Sequence, residues 1–156
     1  MSDNPARDLG ELDVLALTLH HEAGGESLLG QMAVACVIRN RAVWGKWGPT
    51  LRDVCLANKQ FSCWQPIGGA DNYLSLVGHA DALRAGKRPD VMRRAYQVAH
   101  SILGDAPDVT NHATHYYAPA AMVPPGRLPV WAKGRTPSAH IGGHVFFNLR
   151  PAETIQ

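Results

Sequence analysis

Glu22 stands where a general acid belongs. In the run from Leu12 to Glu22, Leu12, Leu15 and Leu19 recur at helical spacing, which predicts a helix with one apolar face. Gly24 and Gly25 follow after Ala23 and are expected to end that helix, because glycine reaches positive φ at little cost. A carboxylate at a helix end, partly desolvated and beside an open turn, can have its pKa raised while a substrate still reaches it. The same position also suits a solvated last-turn residue, although the negative end of the helix dipole disfavours a carboxylate there. Glu26 lies one helical turn further on, beyond both glycines.

Eight histidines invite a metal reading. His20, His21, Glu22, His112, His115, His140 and His144 carry suitable N and O donors, and His112-x-x-His115 and His140-x-x-x-His144 have usable spacings. No HExxH occurs, however, and Ile-Gly-Gly between His140 and His144 argues against a shared helical face. No metal or other cofactor is assigned on this basis. A serine nucleophile is weaker still, since no GxSxG appears and Ser62 has no base near it in sequence. Gly24-Gly25 and Gly68-Gly69 match neither GxGxxG nor a P-loop.

A sugar-binding cleft fits the residue types better. Trp44, Trp47, Trp64, Tyr116, Tyr117 and Trp131 fall in loops or expected strands. Any one of them would serve equally as core or rim packing. As a set flanking Gln60, Ser62 and His115, they suit an extended polysaccharide groove.

These residues need elements to position them. After the Glu22 helix, Glu26-Ser27 opens a second, in which Leu29, Met32, Ala33, Cys36 and Val37 keep helical spacing and Arg39 and Arg41 complement the dipole in the last turn. Thr50 caps a short helix to about Ala57, with Asp53 as its acidic partner. Gln60 to Pro66 is neither clean helix nor clean strand, and Gly68-Gly69 punctuates it. A weak helical stretch follows near His79 to Ala85. Asp90 then caps a helix to about Leu103 whose apolar face is Met92, Ala95, Val98, Ala99 and Ile102. Thr114 to Ala118 and His144 to Asn148 read as short strands. The Pro/Gly-rich stretch between them, roughly 119–143, is long for a loop and so functional or partly structured. No internal repeat or linker interrupts the chain, and helices followed by a small sheet describe an α+β fold.

The 156 residues suffice for one domain with a real core. A hydrophobic content of 46% with 18% charged residues excludes a disordered chain. The net charge of +2 comes from scattered basic residues, Lys87-Arg88 and Arg93-Arg94 being the densest pairs, so nucleic acid is not an expected partner. Cys36 falls on an apolar helical run and reads as core, while a Cys55–Cys63 pair is left open. The odd count suits a reducing compartment. The N-terminus has no apolar stretch of the secretory type, and no run is long enough to span a membrane.

Taken in order, several segments resemble the cell-wall hydrolase family typified by spore cortex-lytic enzymes. The family opens with Gly-Glu-Ala-Arg-Gly-Glu, here His21-Glu22-Ala23-Gly24-Gly25-Glu26, followed by a helix that here reads Gly30-Gln31-Met32-Ala33-Val34-Ala35-Cys36-Val37-Ile38-Arg39-Asn40-Arg41. Its Gln-Phe-Ser-x-Trp motif stands as Gln60-Phe61-Ser62-Cys63-Trp64, and its Ala-Thr-His-Tyr-Tyr-x-Pro motif as Ala113 to Pro119. Trp131-Ala132 and Ile141 to Phe147 complete the match, which runs from about Leu12 to Asn148. Two departures flank the acid: His21 replaces a glycine, and a glycine stands where arginine is usual.

The resemblance implies a lysozyme-like α+β fold, a helical bundle with a small antiparallel sheet, across residues 1–156 as a single catalytic domain. It implies cleavage of the peptidoglycan glycan strand between N-acetylmuramic acid and N-acetylglucosamine, as in lytic transglycosylases. Glu22 would be the catalytic acid, with Glu26, Gln60, Phe61, Ser62, Trp64, His115, Tyr116, Tyr117, Trp131 and His144 binding substrate. A two-carboxylate glycosidase needs a partner acid about 5–9.5 Å away, and Glu26, Asp71 and Asp81 are poor candidates. A single acid suffices if the substrate supplies the nucleophile. The expected product is a monomeric, cytoplasmically made enzyme without membrane insertion, acting on the wall after release by a holin-like permeabiliser, as phage endolysins do. A zinc-dependent wall amidase or peptidase and a non-catalytic peptidoglycan-binding module are the alternatives from other classes.

Overall fold

A computed structural model describes residues 4–66 and 70–152. The Gly68-Gly69 punctuation lies outside the described residues. The chain runs through α1 (Glu11–Ala23), α2 (Leu28–Trp44), α3 (Leu51–Leu56), α4 (Ala70–Arg84) and α5 (Arg93–Leu103), then β1 (His115–Tyr117), β2 (Ala139–Ile141) and β3 (His144–Phe147).

Helix α1 is the centre of the helical layer and packs on α2, α3, α4 and α5. The spacing of Leu12, Leu15 and Leu19 predicts a one-faced helix, but every residue from Val14 to Leu19 is buried, as is every residue from Ala33 to Ile38 in α2. Helices covered on all sides have no polar face to keep. α5 is amphipathic in the expected way: Ala95, Val98, Ala99 and Ile102 face the core, joined by Tyr96.

The helix starts follow the side-chain rules. Ser27 Oγ accepts from Gly30 N at 3.1 Å, and Thr50 Oγ1 from Asp53 N at 3.0 Å. Asp90 does not cap α5; Asp90–Met92 form a 3₁₀ turn, and α5 begins after it. The weak stretch near His79 is part of a longer α4, whose buried side chains include Leu76 and Ala80. Gly24 also acts differently from expectation. Its φ is −63°, in the right-handed region. Glycine is required there because a Cβ would collide with the His20 carbonyl oxygen. The left-handed glycine cap is instead Gly45, φ 82°, at the end of α2.

The three strands pair antiparallel in the order β1-β3-β2, with His115 opposite Phe147, Tyr116 opposite Phe146 and Ile141 opposite His144. β2 lies inside the stretch expected to be a loop, which also contains 3₁₀ turns at Pro119–Ala121 and Val130–Ala132. One face of the sheet packs on α2, where Phe146 meets Ala33, Val37 and Ala113. Cys36, Cys55 and Cys63 are all buried and unpaired, so the Cys55–Cys63 bridge is absent. No described helix is long and apolar enough to cross a membrane.

Candidate active site

The last turn of α1 delivers Glu22 to the edge of the core, where it is half-buried. Its Oε1 accepts two hydrogen bonds from the Gln60–Trp64 segment: Cys63 N at 2.9 Å and Ser62 Oγ at 3.3 Å. Both fall on the same oxygen, so among the described residues Oε2 is the atom left for other chemistry. The segment is held against α1 by a buried clamp one turn earlier. Trp64 Nε1 donates to Thr18 Oγ1 at 2.9 Å, and Thr18 in turn donates to Val14 O at 2.8 Å. The sequence motif thus becomes a short 3₁₀ turn (Ser62–Trp64) whose backbone and hydroxyl grip the acid. Cys63 is not a nucleophile there. Burial, and then the Glu22 carboxylate, push its thiol far above the ordinary range, which keeps it protonated.

Glu26 follows in the α1–α2 turn. Its Oε1 lies 2.8 Å from His144 Nδ1, a close approach that is not aligned as a hydrogen bond although that ring nitrogen is buried. Its carboxylate also rests against Gly142 and Gly143 in the β2–β3 turn, where a Cβ on either glycine would come within 4 Å of it. The turn itself is fixed from α5. Arg94 Nη2 donates to Gly24 O at 3.0 Å and Glu26 O at 2.6 Å, and Arg94 Nε to Gln31 Oε1 at 3.2 Å. Gln31 Nε2 reaches Leu19 O at 3.2 Å, closing the tie back to α1.

Alternation along β1 sorts the aromatic residues. Tyr116 faces inward and contacts the rings of His144 and Phe146. Burial, and next the nearby charge of Glu22, raise its phenol well above the ordinary range, so Tyr116 is the β1 ring on the acid's side. His115 and Tyr117 share the opposite face. His115 sits between Trp47 and Trp131, and Tyr117 packs on Trp131 and Phe147. With Trp44 against Trp47, these half-exposed rings form a continuous aromatic row.

Arg41 joins the row to the acid's segment. It is nearly buried, donating from Nε to Thr114 O at 2.7 Å and from Nη1 to Gln60 Oε1 at 3.1 Å. Its guanidinium lies 4.4 Å from the Trp47 ring centroid. Burial lowers its pKa to about 10, so it stays charged at neutral pH. Its neighbour Asn40 donates to Asp108 Oδ2 and Ala113 O, each at 2.9 Å. The Asn40-Arg41 pair therefore fixes the chain entering β1, a role the expected helix-dipole function of Arg41 does not include.

The geometry gives several of the expected substrate-binding residues other partners within the fold. Phe61 is 3% exposed and belongs to the core. The Gln60 amide accepts from Arg41 and donates to Asn58 O. Trp64 uses its N–H on Thr18 and is an anchor. Tyr117 lies on the other face of the strand from Tyr116, because adjacent strand residues cannot share a face. Ser62, Tyr116, Glu26 and His144 are gathered near the acid turn, while His115, Tyr117 and Trp131 form the aromatic row. Arg41 and Arg94 were not singled out as site residues, since a guanidinium that donates to backbone carbonyls leaves no sequence pattern. His79 was also missed. It comes from α4 to meet His20 and His21, with His21 Nε2 3.0 Å from His79 Nδ1.

Comparison with curated proteins returned no match. Two solved structures share the fold. The catalytic domain of the germination-specific lytic transglycosylase SleB from Bacillus anthracis has 23% identity and a TM-score of 0.61, covering 94% of this chain and 95% of that one. The catalytic domain of the Bacillus cereus SleB protein has 25% identity and a TM-score of 0.58, covering 87% and 88%. The sequence profile of the Cell Wall Hydrolase family matches residues 25–147, starting just after Glu22 and spanning Glu26, the Ser62 turn and the whole sheet. The chain belongs to the cell wall hydrolase family.

Proposed function

We propose that the protein is a peptidoglycan glycosidase of the lytic transglycosylase type, cutting between N-acetylmuramic acid and N-acetylglucosamine with Glu22 as its single acid–base group. The observation that carries this reading is the asymmetric grip on Glu22: Oε1 is occupied by Ser62 and Cys63, while Oε2 is left to hold a proton. Protonated Glu22 gives that proton to the glycosidic oxygen as the bond to the anomeric carbon breaks. The muramoyl C6 hydroxyl attacks the anomeric carbon and passes its own proton to the Glu22 carboxylate. A 1,6-anhydro ring results, Glu22 is protonated again, and no water is consumed. The one other acid placed at this turn, Glu26, is engaged by His144 and the β2–β3 turn, which suits positioning better than nucleophilic attack. The aromatic row from Trp44 to Tyr117 offers ring faces for the glycan, and membership of the cell wall hydrolase family supports a wall polymer as substrate.

Mass spectrometry of muropeptides released from purified sacculi tests the reaction. Anhydro-muramoyl ends, one water lighter than reducing ends, are expected. Reducing ends alone would make the enzyme a hydrolytic muramidase, and freed stem peptides an amidase. The finer reading, which rests on the peptidoglycan substrate, is an endolysin-like lysis enzyme delivered through a holin-like permeabiliser. Expression alone in a Gram-negative host should then cause little lysis, and chloroform should trigger it. Spontaneous lysis with the protein in the periplasm would contradict that reading.

A further inference from the structure

The last turn of α1 has a second chemical face. His20 and His21 on α1 meet His79 on α4, and one ring nitrogen from each lies within 4.8 Å of the others. Around a tetrahedral zinc with Zn–N bonds of about 2.0–2.1 Å, such nitrogens stand roughly 3.3 Å apart. His21 Nε2 and His79 Nδ1 are joined by a hydrogen bond of 3.0 Å, so binding exchanges that bond for two metal bonds, with the His79 proton moving to its Nε2, and needs a modest movement of His20. The ring centroids are 4.8, 5.0 and 5.5 Å apart.

The support behind His21 settles which of its nitrogens carries the proton. Asn72 Nδ2 donates to the His21 carbonyl oxygen at 3.1 Å, which fixes the orientation of the amide. The Asn72 Oδ1 then faces His21 Nδ1 at 3.2 Å and must accept its N–H. That leaves the lone pair on Nε2, which accepts from His79 Nδ1 in the metal-free chain. An outer hydrogen bond that fixes the tautomer and turns the other nitrogen inward is how metal-binding histidines are oriented. All three rings are half-buried, and a hollow of about 270 Å³ lined by His20, Gly24, Gln31 and Arg94 opens beside His20. The nearest cation, Arg94, is directed to the carbonyls of Gly24 and Glu26.

We propose that His20, His21 and His79 bind one zinc-class divalent cation, with water in the fourth position. Three imidazoles suit zinc, copper, nickel and cobalt, and exclude magnesium and calcium, which take oxygen ligands. The ion would pin the end of α1 to α4, and α4 packs against the Ser62–Trp64 turn. It would not take part in the acid chemistry, because Glu22 turns from this cluster toward Ser62 and Cys63. The site is independent of the glycosidase reading.

Titration of the metal-free full chain with Zn²⁺, followed by calorimetry and thermal melting, tests the site. One ion per chain is expected, with Tm rising by roughly 5–10 °C at a hundredfold excess over Kd. Cobalt loading should give the visible bands of a four-coordinate nitrogen site. His79→Gln and His20→Gln should each weaken binding at least tenfold, and Asn72→Ala about 10–100-fold, while His112→Gln should not change it. Each variant's metal-free Tm shows whether it is folded. Absence of saturable binding to the wild-type chain would overturn the proposal. So would a stoichiometric ion whose affinity is unchanged in both His20→Gln and His79→Gln.

Discussion

Replacing Arg94 with methionine keeps the aliphatic stem and deletes the fork that holds the α1–α2 turn. Three donations are lost: to Gly24 O at 3.0 Å, to Glu26 O at 2.6 Å and to Gln31 Oε1 at 3.2 Å. A charge-assisted hydrogen bond contributes about 1.5–3 kcal/mol when sheltered and less when solvated. The Gly24 bond is exposed, the other two are partly buried, and bonds sharing one group are not additive. A net loss of about 2–4 kcal/mol follows, which lowers Tm by roughly 5–15 °C in a domain of this size. The turn carries Glu26 and directly follows Glu22, so its release should also misplace the acid. Displacements of about 1 Å cost up to about 10²-fold in rate. Denaturant melts and turnover of labelled sacculi measure the two effects. Arg94→Lys, which keeps the charge without the fork, should recover only part of either. Arg93→Met, on the exposed neighbour, should change stability by less than about 0.5 kcal/mol. Arg94→Met with stability and activity within error of wild type would refute the assignment of the turn's rigidity to Arg94.

Three further perturbations test separate parts of the account. Thr18→Val keeps the shape of a buried side chain but strands the Trp64 indole N–H, so unfolding measurements should show a loss of about 1–3 kcal/mol; a neutral result would remove the clamp from the account. Glu26→Gln should lower sacculus turnover by less than Glu22→Gln does, because the contact with His144 is weakened and no proton donor is lost; equal losses would promote Glu26 to a second catalytic acid. The His115 ring is pushed down from 6.5 to about 4 by burial first, then by Arg41, Lys46 and Arg135. Between those values the unfolded chain takes up a proton that the folded protein refuses, so stability falls as pH drops from 6.5 toward 4 and is not reduced above 6.5. After allowance for solvent screening the effect is on the order of 1 kcal/mol. His115→Gln should remove that share of the slope in urea melts at stepped pH, and an unchanged slope would contradict it.

Much of the helical layer can be read from residue pattern, because caps and apolar spacing are local. Ser27 and Thr50 start their helices as their types dictate. The contact of Ser62 and Cys63 with Glu22 spans some forty residues and came only from motif order. Strand facing was legible but not used: period-two alternation alone puts Tyr116 opposite His115 and Tyr117. β2 is hidden because the alternation of Ala-His-Ile covers only three residues and its ladder comes from β3. Phe61, given to substrate binding only through the resemblance, is core in space, since aromatic type does not report burial. Arg41, Arg94 and His79 act across packed helices, so their partners have no sequence neighbour to announce them.

The central claim is that one carboxylate, Glu22, performs both proton transfers. Glu22→Gln tests it most directly, because the amide oxygen still accepts from Ser62 and Cys63 while the side chain can no longer give up a proton. Release of soluble muropeptides from purified sacculi, measured beside the melting temperature, separates chemistry from folding. The account predicts a folded variant whose release rate falls by at least about 10²-fold. A folded Glu22→Gln protein that still cleaves at near wild-type rate would contradict it.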